Sequence, residues 1–199
     1  MNLEDYRTLF VVVTLGLTLV AASPTLALVM PFGGSSERFS EFWLLDPNHA
    51  AEDYPFNVSA GEMYSVFVGV GNQMGSSEYY KVYVKLRNGT QSVPDGNNSV
   101  PDSLSPVYEY RFFVGVDEAW ESPASFGFGD VVVEGDVLSV GEVVVNGVTS
   151  RVDVFAVWDS EREGYFFQLF FELWHYDVGS RDFRFDGQFV GLWLNMTGY

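Results

Sequence analysis

Apolar and polar positions after residue 37 alternate in short runs and show no sustained period of three to four, so the pattern predicts strands rather than helices. Runs near 39–45, 62–70, 78–87, 107–116, 130–145, 148–158, 165–176 and 187–196 have strand character, with a break expected at Glu134-Gly135-Asp136. The clearest is 79–87. Tyr80, Val82, Val84 and Leu86 fall on one face and Lys81, Tyr83, Lys85 and Arg87 on the other, which reads as one buried and one wet face. Asn146-Gly147 between two apolar runs predicts a two-residue hairpin, because both residues accept positive φ cheaply. Residues 90–106, with Pro94, Pro101 and Pro106, read as a polar loop. Strands at this spacing predict an all-β, immunoglobulin-like antiparallel β-sandwich. There is no cysteine, so no disulfide pins it.

The pattern before residue 37 is different. No charge occurs from Thr8 to Ser36, and twelve Leu, Val or Phe side chains fall between Leu9 and Val29. Residues 9–32 are long enough to cross a hydrocarbon core of about 30 Å. Those side chains favour insertion by on the order of 4 to 7 kcal/mol. The chain therefore divides into a short cytoplasmic head (1–8), one N-terminal transmembrane helix (9–32), a linker (33–37, with Gly33-Gly34-Ser35-Ser36) and an exterior β-sandwich domain (38–199). A cleaved signal peptide, cut after Ala22 or Ala27, competes with the retained anchor. Against it, Glu4 and Asp5 offset Arg7 in the head, and the apolar run continues to Phe32.

Arg7 and Arg38 balance across the span and do not orient it. The sequons do. Asn57, Asn88, Asn97 and Asn195 each begin an Asn-X-Ser/Thr triplet, where composition alone predicts about one, and all four follow the span. They are glycosylation candidates and place the C-terminal domain outside the cell membrane.

Composition then narrows the chemistry. The net charge of −17 argues against nucleic acid as a partner. Only His49 and His175 could serve a histidine-dependent site, and there is no Gly-X-Ser-X-Gly elbow or phosphate loop. The acidic groups Asp117/Glu118/Glu121, Asp159/Glu161/Glu163 and Asp177/Asp182/Asp186 match no recognised calcium loop and read as solvated surface. Asp95-Gly96-Asn97-Asn98 resembles only half of one. We expect no catalytic residue, no cofactor and no metal site.

The most informative feature is strand 165–176. Tyr165, Phe167, Leu169, Phe171 and Leu173 form a core face, yet the opposite face carries Phe166, Phe170, Trp174 and Tyr176. Strand 187–196 likewise sets Phe189 and Trp193 opposite Val190, Leu192 and Leu194. Either residues 90–130 cover this second face, or it is a contact surface, with Phe166, Phe170, Trp174, Tyr176, Phe189 and Trp193 as interaction candidates.

Two stretches carry a family resemblance. Residues 38–47 (Arg-Phe-Ser-Glu-Phe-Trp-Leu-Leu-Asp-Pro), Ala51-Glu52-Asp53-Tyr54-Pro55 and Asn57 to Glu62 resemble the opening segment of the archaeal membrane-anchored domain-of-unknown-function family sixteen-sixteen. Residues 165–174 and 191–195 resemble its closing strands. Asp46, where the pattern has glycine, and a longer 90–135 depart from it. The resemblance implies archaeal origin, membrane anchoring and an exterior β domain, and it transfers no catalytic residue. The sequence thus leads to a non-enzymatic, single-pass membrane protein. Its expected partners are membrane lipid and the proteins of a membrane or cell-envelope assembly, in which it is an accessory or structural subunit. The alternative is a tethered binding module for an exterior sugar, peptide or cation.

Overall fold

The alternating runs pair as ten strands in the computed structural model, which describes residues 38–199. The anchor expected at 9–32, with its head and linker, lies outside the described residues. The strands are β1 (Ser40–Leu45), β2 (Asn57–Ser59), β3 (Met63–Asn72), β4 (Glu78–Asn88), β5 (Tyr108–Val114), β6 (Ala119–Glu134), β7 (Val137–Val145), β8 (Val148–Val157), β9 (Tyr165–Asp177) and β10 (Asp182–Gly198). Sheet A runs β1-β3-β6-β7-β8 and sheet B runs β2-β10-β9-β4-β5. Among the described residues no helix is long and apolar enough to cross a membrane.

The core forms where the inward faces of the two sheets meet. Val66, Val68 and Val70 of β3, Tyr80, Val82, Val84 and Leu86 of β4, Leu138 and Val140 of β7, and Phe167, Leu169, Phe171 and Leu173 of β9 are buried there. Each fully buried side chain of this size contributes roughly 1.5–3 kcal/mol. The inward face of β9 is the one its alternation predicts. The Asn146-Gly147 hairpin also forms as predicted, with φ of 49° and 77° at the two residues.

The structure corrects the sequence reading at several points. The sandwich is not wholly antiparallel, because β2 pairs with β10 in parallel. The strands divide five and five, not into the four-and-three partition of an immunoglobulin constant domain. Strand β2 is three residues long and has too little alternation to register. Strand β6 starts at Ala119 rather than near 130. Pro123 and the glycines of 119–129 disguise it, yet the early part of β6 pairs only with β3, and pairing with β7 begins at Phe126. Pro123 therefore sits beside an open flank, where a missing N–H breaks no ladder. Its carbonyl accepts a hydrogen bond from the Tyr110 hydroxyl at 3.1 Å instead.

The largest correction concerns β4. Lys81, Lys85 and Arg87, expected to be wet, are buried. What buries them defines the candidate site.

Candidate functional site

Cross-strand register orders the outer face of sheet B into rows. The first holds Phe113, Tyr79, Tyr176 and Phe183; the second Arg111, Lys81, Trp174 and Phe185; the third Glu109, Tyr83, Glu172 and Phe189. Beyond them come Lys85 with Phe170, then Arg87 with Gln168 and Trp193. All of the aromatic interaction candidates on β9 and β10 thus occupy the single face that their alternation predicts.

Half of this face is closed. Residues 89–107, linking β4 to β5, form a strap over Lys85, Arg87 and Glu172. The Lys85 ammonium lies 2.8 Å from Glu172 Oε2 and 3.4 Å from Asp102 Oδ1. It also donates to the Asp102 carbonyl at 3.3 Å. The Asp102 backbone N–H donates to Glu172 Oε1 at 3.0 Å, and Trp174 Nε1 donates to Glu172 Oε2 at 3.2 Å. Arg87 donates to Gln168 at 2.6 Å and to the Gln91 carbonyl at 2.6 Å, while its guanidinium lies 5.1 Å from the centre of the Trp193 ring. Among the described residues, Asp102 Oδ2 is buried without a hydrogen-bond partner. Burial holds the Arg87 pKa below its usual value.

The strap's tip docks on a bulge of β10. Register shifts between Phe185 and Phe189, where Gly187 has a φ of 80°. A β-carbon at Gly96 would lie 2.5 Å from the Gly187 carbonyl oxygen, so only glycine lets the two backbones approach this closely. Phe170 is consequently fully buried, and Phe166 is buried beneath the Arg162 guanidinium at 4.3 Å. Trp174, Tyr176 and Phe189 are half-buried, and Trp193 is 38% exposed.

The other half is open and built of rings. Phe113, 74% exposed, stacks on Tyr79 with centroids 4.3 Å apart and planes 13° from parallel. Tyr79 meets Phe183 at 5.1 Å, and Tyr176 meets Phe183 edge-on at 5.4 Å. The Lys81 ammonium lies 4.0 Å from the Phe183 centroid and donates to the Tyr83 hydroxyl at 3.1 Å. Mutual ring contacts hold these side chains in place. Sequence reasoning missed Phe113. Its signal was an aromatic residue on the same strand face as Glu109 and Arg111, opposite the buried Tyr110, Phe112 and Val114.

The remaining titratable candidates hold turns and strand ends together. Asp46, Asp95, Asp159 and Asp177 each accept backbone N–H bonds within their own turns. In Asp95, the side-chain bond from Asn98 and the turn's N–H groups lower the pKa. Asp159 and Asp177 also pair with Arg162 and Arg184 at 2.7 and 2.8 Å. His49 Nδ1 lies 2.7 Å from Glu121, and its ring stacks on Phe67 at 4.1 Å. His175 Nδ1 lies 2.8 Å from Asp186, and that hydrogen bond raises the His175 pKa. Among the described residues no three His, Asp or Glu side chains converge in a way that could hold a metal ion.

The four sequons separate. Asn57 and Asn97 are exposed, whereas Asn88 and Asn195 are buried. A cleft of about 250 Å3 lies near Asn88, lined by Thr90, Phe155, Val157, Asp159 and Arg162 among others.

Residues 33–130 match the family model of a domain of unknown function, DUF1616. That stretch is similar to DUF1616. It is just under half of the 199 residues, and it takes in β1 to β5, the strap and the first part of β6. The DUF1616 match ends before β9 and β10, which carry the second stretch of resemblance. No curated protein matches the chain. Among solved structures, a β-glucosidase from Listeria innocua in complex with isofagomine is similar at 11% identity, with a TM-score of 0.37. The similarity covers 82% of this chain, and the chain spans only 17% of the glucosidase. The PapD-like domain 7 of human CEP192 is similar at 7% identity, with a TM-score of 0.34, covering 80% of this chain and 86% of that one. At those scores neither likeness carries a functional argument.

Proposed function

We propose that this DUF1616-containing chain is a membrane-anchored, non-enzymatic exterior β-sandwich that serves as an accessory or structural subunit of an archaeal membrane or cell-envelope assembly. The open aromatic row Phe113–Tyr79–Tyr176–Phe183 is its protein-contact surface. That row is the observation that carries the reading: rigid, pre-stacked rings, one of them three-quarters exposed, supply the residue types that dominate interface energetics. The anchor and its orientation rest on the apolar run 9–32 and the sequons that follow it. The non-enzymatic reading is supported by how the charged groups are used: Lys85, Glu172, Asp102 and Arg87 hold the strap, and both histidines are paired with carboxylates.

The outer face of sheet A also exposes apolar groups, including Val132, Phe155 and Val157, but Asp130, Arg151 and Asp153 are exposed beside them. Valine is under-represented among interface hot spots, so sheet B is the better candidate. The alternative, a tethered binding module, would use the cleft beside Asn88. Its volume of about 250 Å3 falls below the roughly 300–1,000 Å3 usual for small-molecule sites. Native membranes dissolved in mild detergent test the proposal. A stoichiometric multi-subunit particle is expected, and a lone monomer would overturn the subunit reading.

A further inference from the structure

The four sequons differ in what their amide nitrogens are doing. Asn88 is buried, and its Nδ2 donates to the Phe155 carbonyl at 2.8 Å. Its Oδ1 accepts from the Thr90 N–H, the Thr90 hydroxyl and the Gln91 N–H at 2.8 to 3.1 Å. Asn195 is also buried, with its Nδ2 turned to Asn57 Oδ1 at 3.3 Å. Asn97 sits at the exposed tip of the strap. Its backbone N–H bonds to Asp95, and among the described residues its side-chain amide makes no hydrogen bond. Asn57 is exposed on the edge strand β2, whose outer flank has no partner strand among the described residues. It uses only its carbonyl oxygen, to accept from Asn195, so its Nδ2 is free among the described residues. In a strand, residues i and i+2 share a face, which sets Ser59 beside Asn57 as the triplet requires.

We propose that Asn57 and Asn97 are the N-glycosylated residues of this protein and that Asn88 and Asn195 stay unmodified. The inference rests on the exterior placement given above. In the reaction, Nδ2 forms a bond to the anomeric carbon of a glycosyl donor carried on a lipid phosphate or diphosphate. The bond from that carbon to the carrier oxygen breaks. The carrier leaves as the lipid phosphate or diphosphate, and the amide gives up one proton. At Asn57 the product amide keeps its oxygen, so the bond from Asn195 survives. At Asn88 a sugar attached before folding would meet β8 as Phe155 closes on the amide, so the folded population carries none there. A glycan on Asn57 would also shield the free edge of sheet B against strand addition.

The test is glycopeptide mass spectrometry on the full-length protein from its native membranes, with Asn57→Gln, Asn97→Gln and Asn88→Gln variants alongside. Glycan mass is expected on Asn57 and Asn97 only. Each of the first two variants should lose one glycan, whereas Asn88→Gln should lose none. Occupancy at Asn88 or Asn195 comparable to that at Asn57 or Asn97 would overturn the site assignment. Absence of glycan at all four would overturn it too, and would point instead to failure of the exterior placement. If Asn88→Gln fails to accumulate, site occupancy in the wild-type protein still decides.

Discussion

The two halves of the outer face of sheet B are made of the same materials in the same alternation. Lys81 among Tyr79, Tyr83 and Phe183 is hard to tell in sequence from Lys85 and Arg87 among Phe170, Phe189 and Trp193. Their fates differ because one linker returns across the second group, whereas in the first only neighbouring rings cover Lys81. Where the strap lies, the Lys85 ammonium is neutralised by Glu172 and Asp102, and Arg87 donates to Gln168 and the Gln91 carbonyl. Where it does not lie, rings stack on one another and Phe113 faces solvent. The lesson is that an apolar second face is not by itself a contact surface: what remains after a chain's own linker has covered its share is the candidate.

The covered half breaks most sharply at Lys85. Lys85→Met leaves two buried carboxylates without their cation and should cost about 3–5 kcal/mol in unfolding of the detergent-solubilised protein. Replacing Lys85, Asp102 and Glu172 together by Met, Leu and Leu should cost clearly less, because no buried charge is then left alone. If the single and triple variants are equally unstable, the network is not what seats the strap.

The open half should respond the other way round. Phe113→Ser should shift stability by no more than about 0.5 kcal/mol, as for other surface positions. It should weaken subunit association by about 2 kcal/mol, close to 30-fold in dissociation constant. Dilution-dependent dissociation of the native particle measures this, and loss of stability with association intact would reverse the assignment.

The boundary between the halves can be loosened at the strap's tip. Gly96→Ala sets a β-carbon against the Gly187 carbonyl and should cost about 1–2 kcal/mol. Limited proteolysis should then cut within 89–107 faster than in the wild type. Unchanged cleavage would mean that the tip is not anchored there.

The smallest effect concerns His175, whose hydrogen bond to Asp186 raises its folded pKa. Its contribution is complete below the unfolded value of about 6.5 and is lost as pH rises through the higher folded value. Stability should therefore fall slightly on going from acid to neutral or alkaline pH, by under about 1 kcal/mol, and His175→Asn should flatten that slope. A slope of the same size in the variant would assign it to other groups.

Much of this fold was legible because strand periodicity is local. The faces of β4 and β9 and the Asn146-Gly147 turn follow from neighbouring residues alone. Coverage is not local. Nothing near Lys85 announces that Asp102, seventeen positions on, will meet it, and a three-proline loop reads as solvent-exposed whether or not it lies across a sheet. The same holds for the sequons: Asn88 and Asn97 have equivalent triplets, and only the arrival of Phe155 from β8 separates them. The early part of β6 was obscured by Pro123, whose tolerance depends on the missing partner at its flank.

The most direct test of the central claim is site-specific photo-cross-linking in intact cells. A photoreactive side chain is placed at residue 113 on the open row and, as a control, at residue 132 on sheet A, where Val132 is 49% exposed. The account predicts one discrete, stoichiometric protein adduct from position 113, lost when Tyr79 and Tyr176 are changed to serine, and none from position 132. No adduct from 113, or equal adducts from both positions, would contradict it.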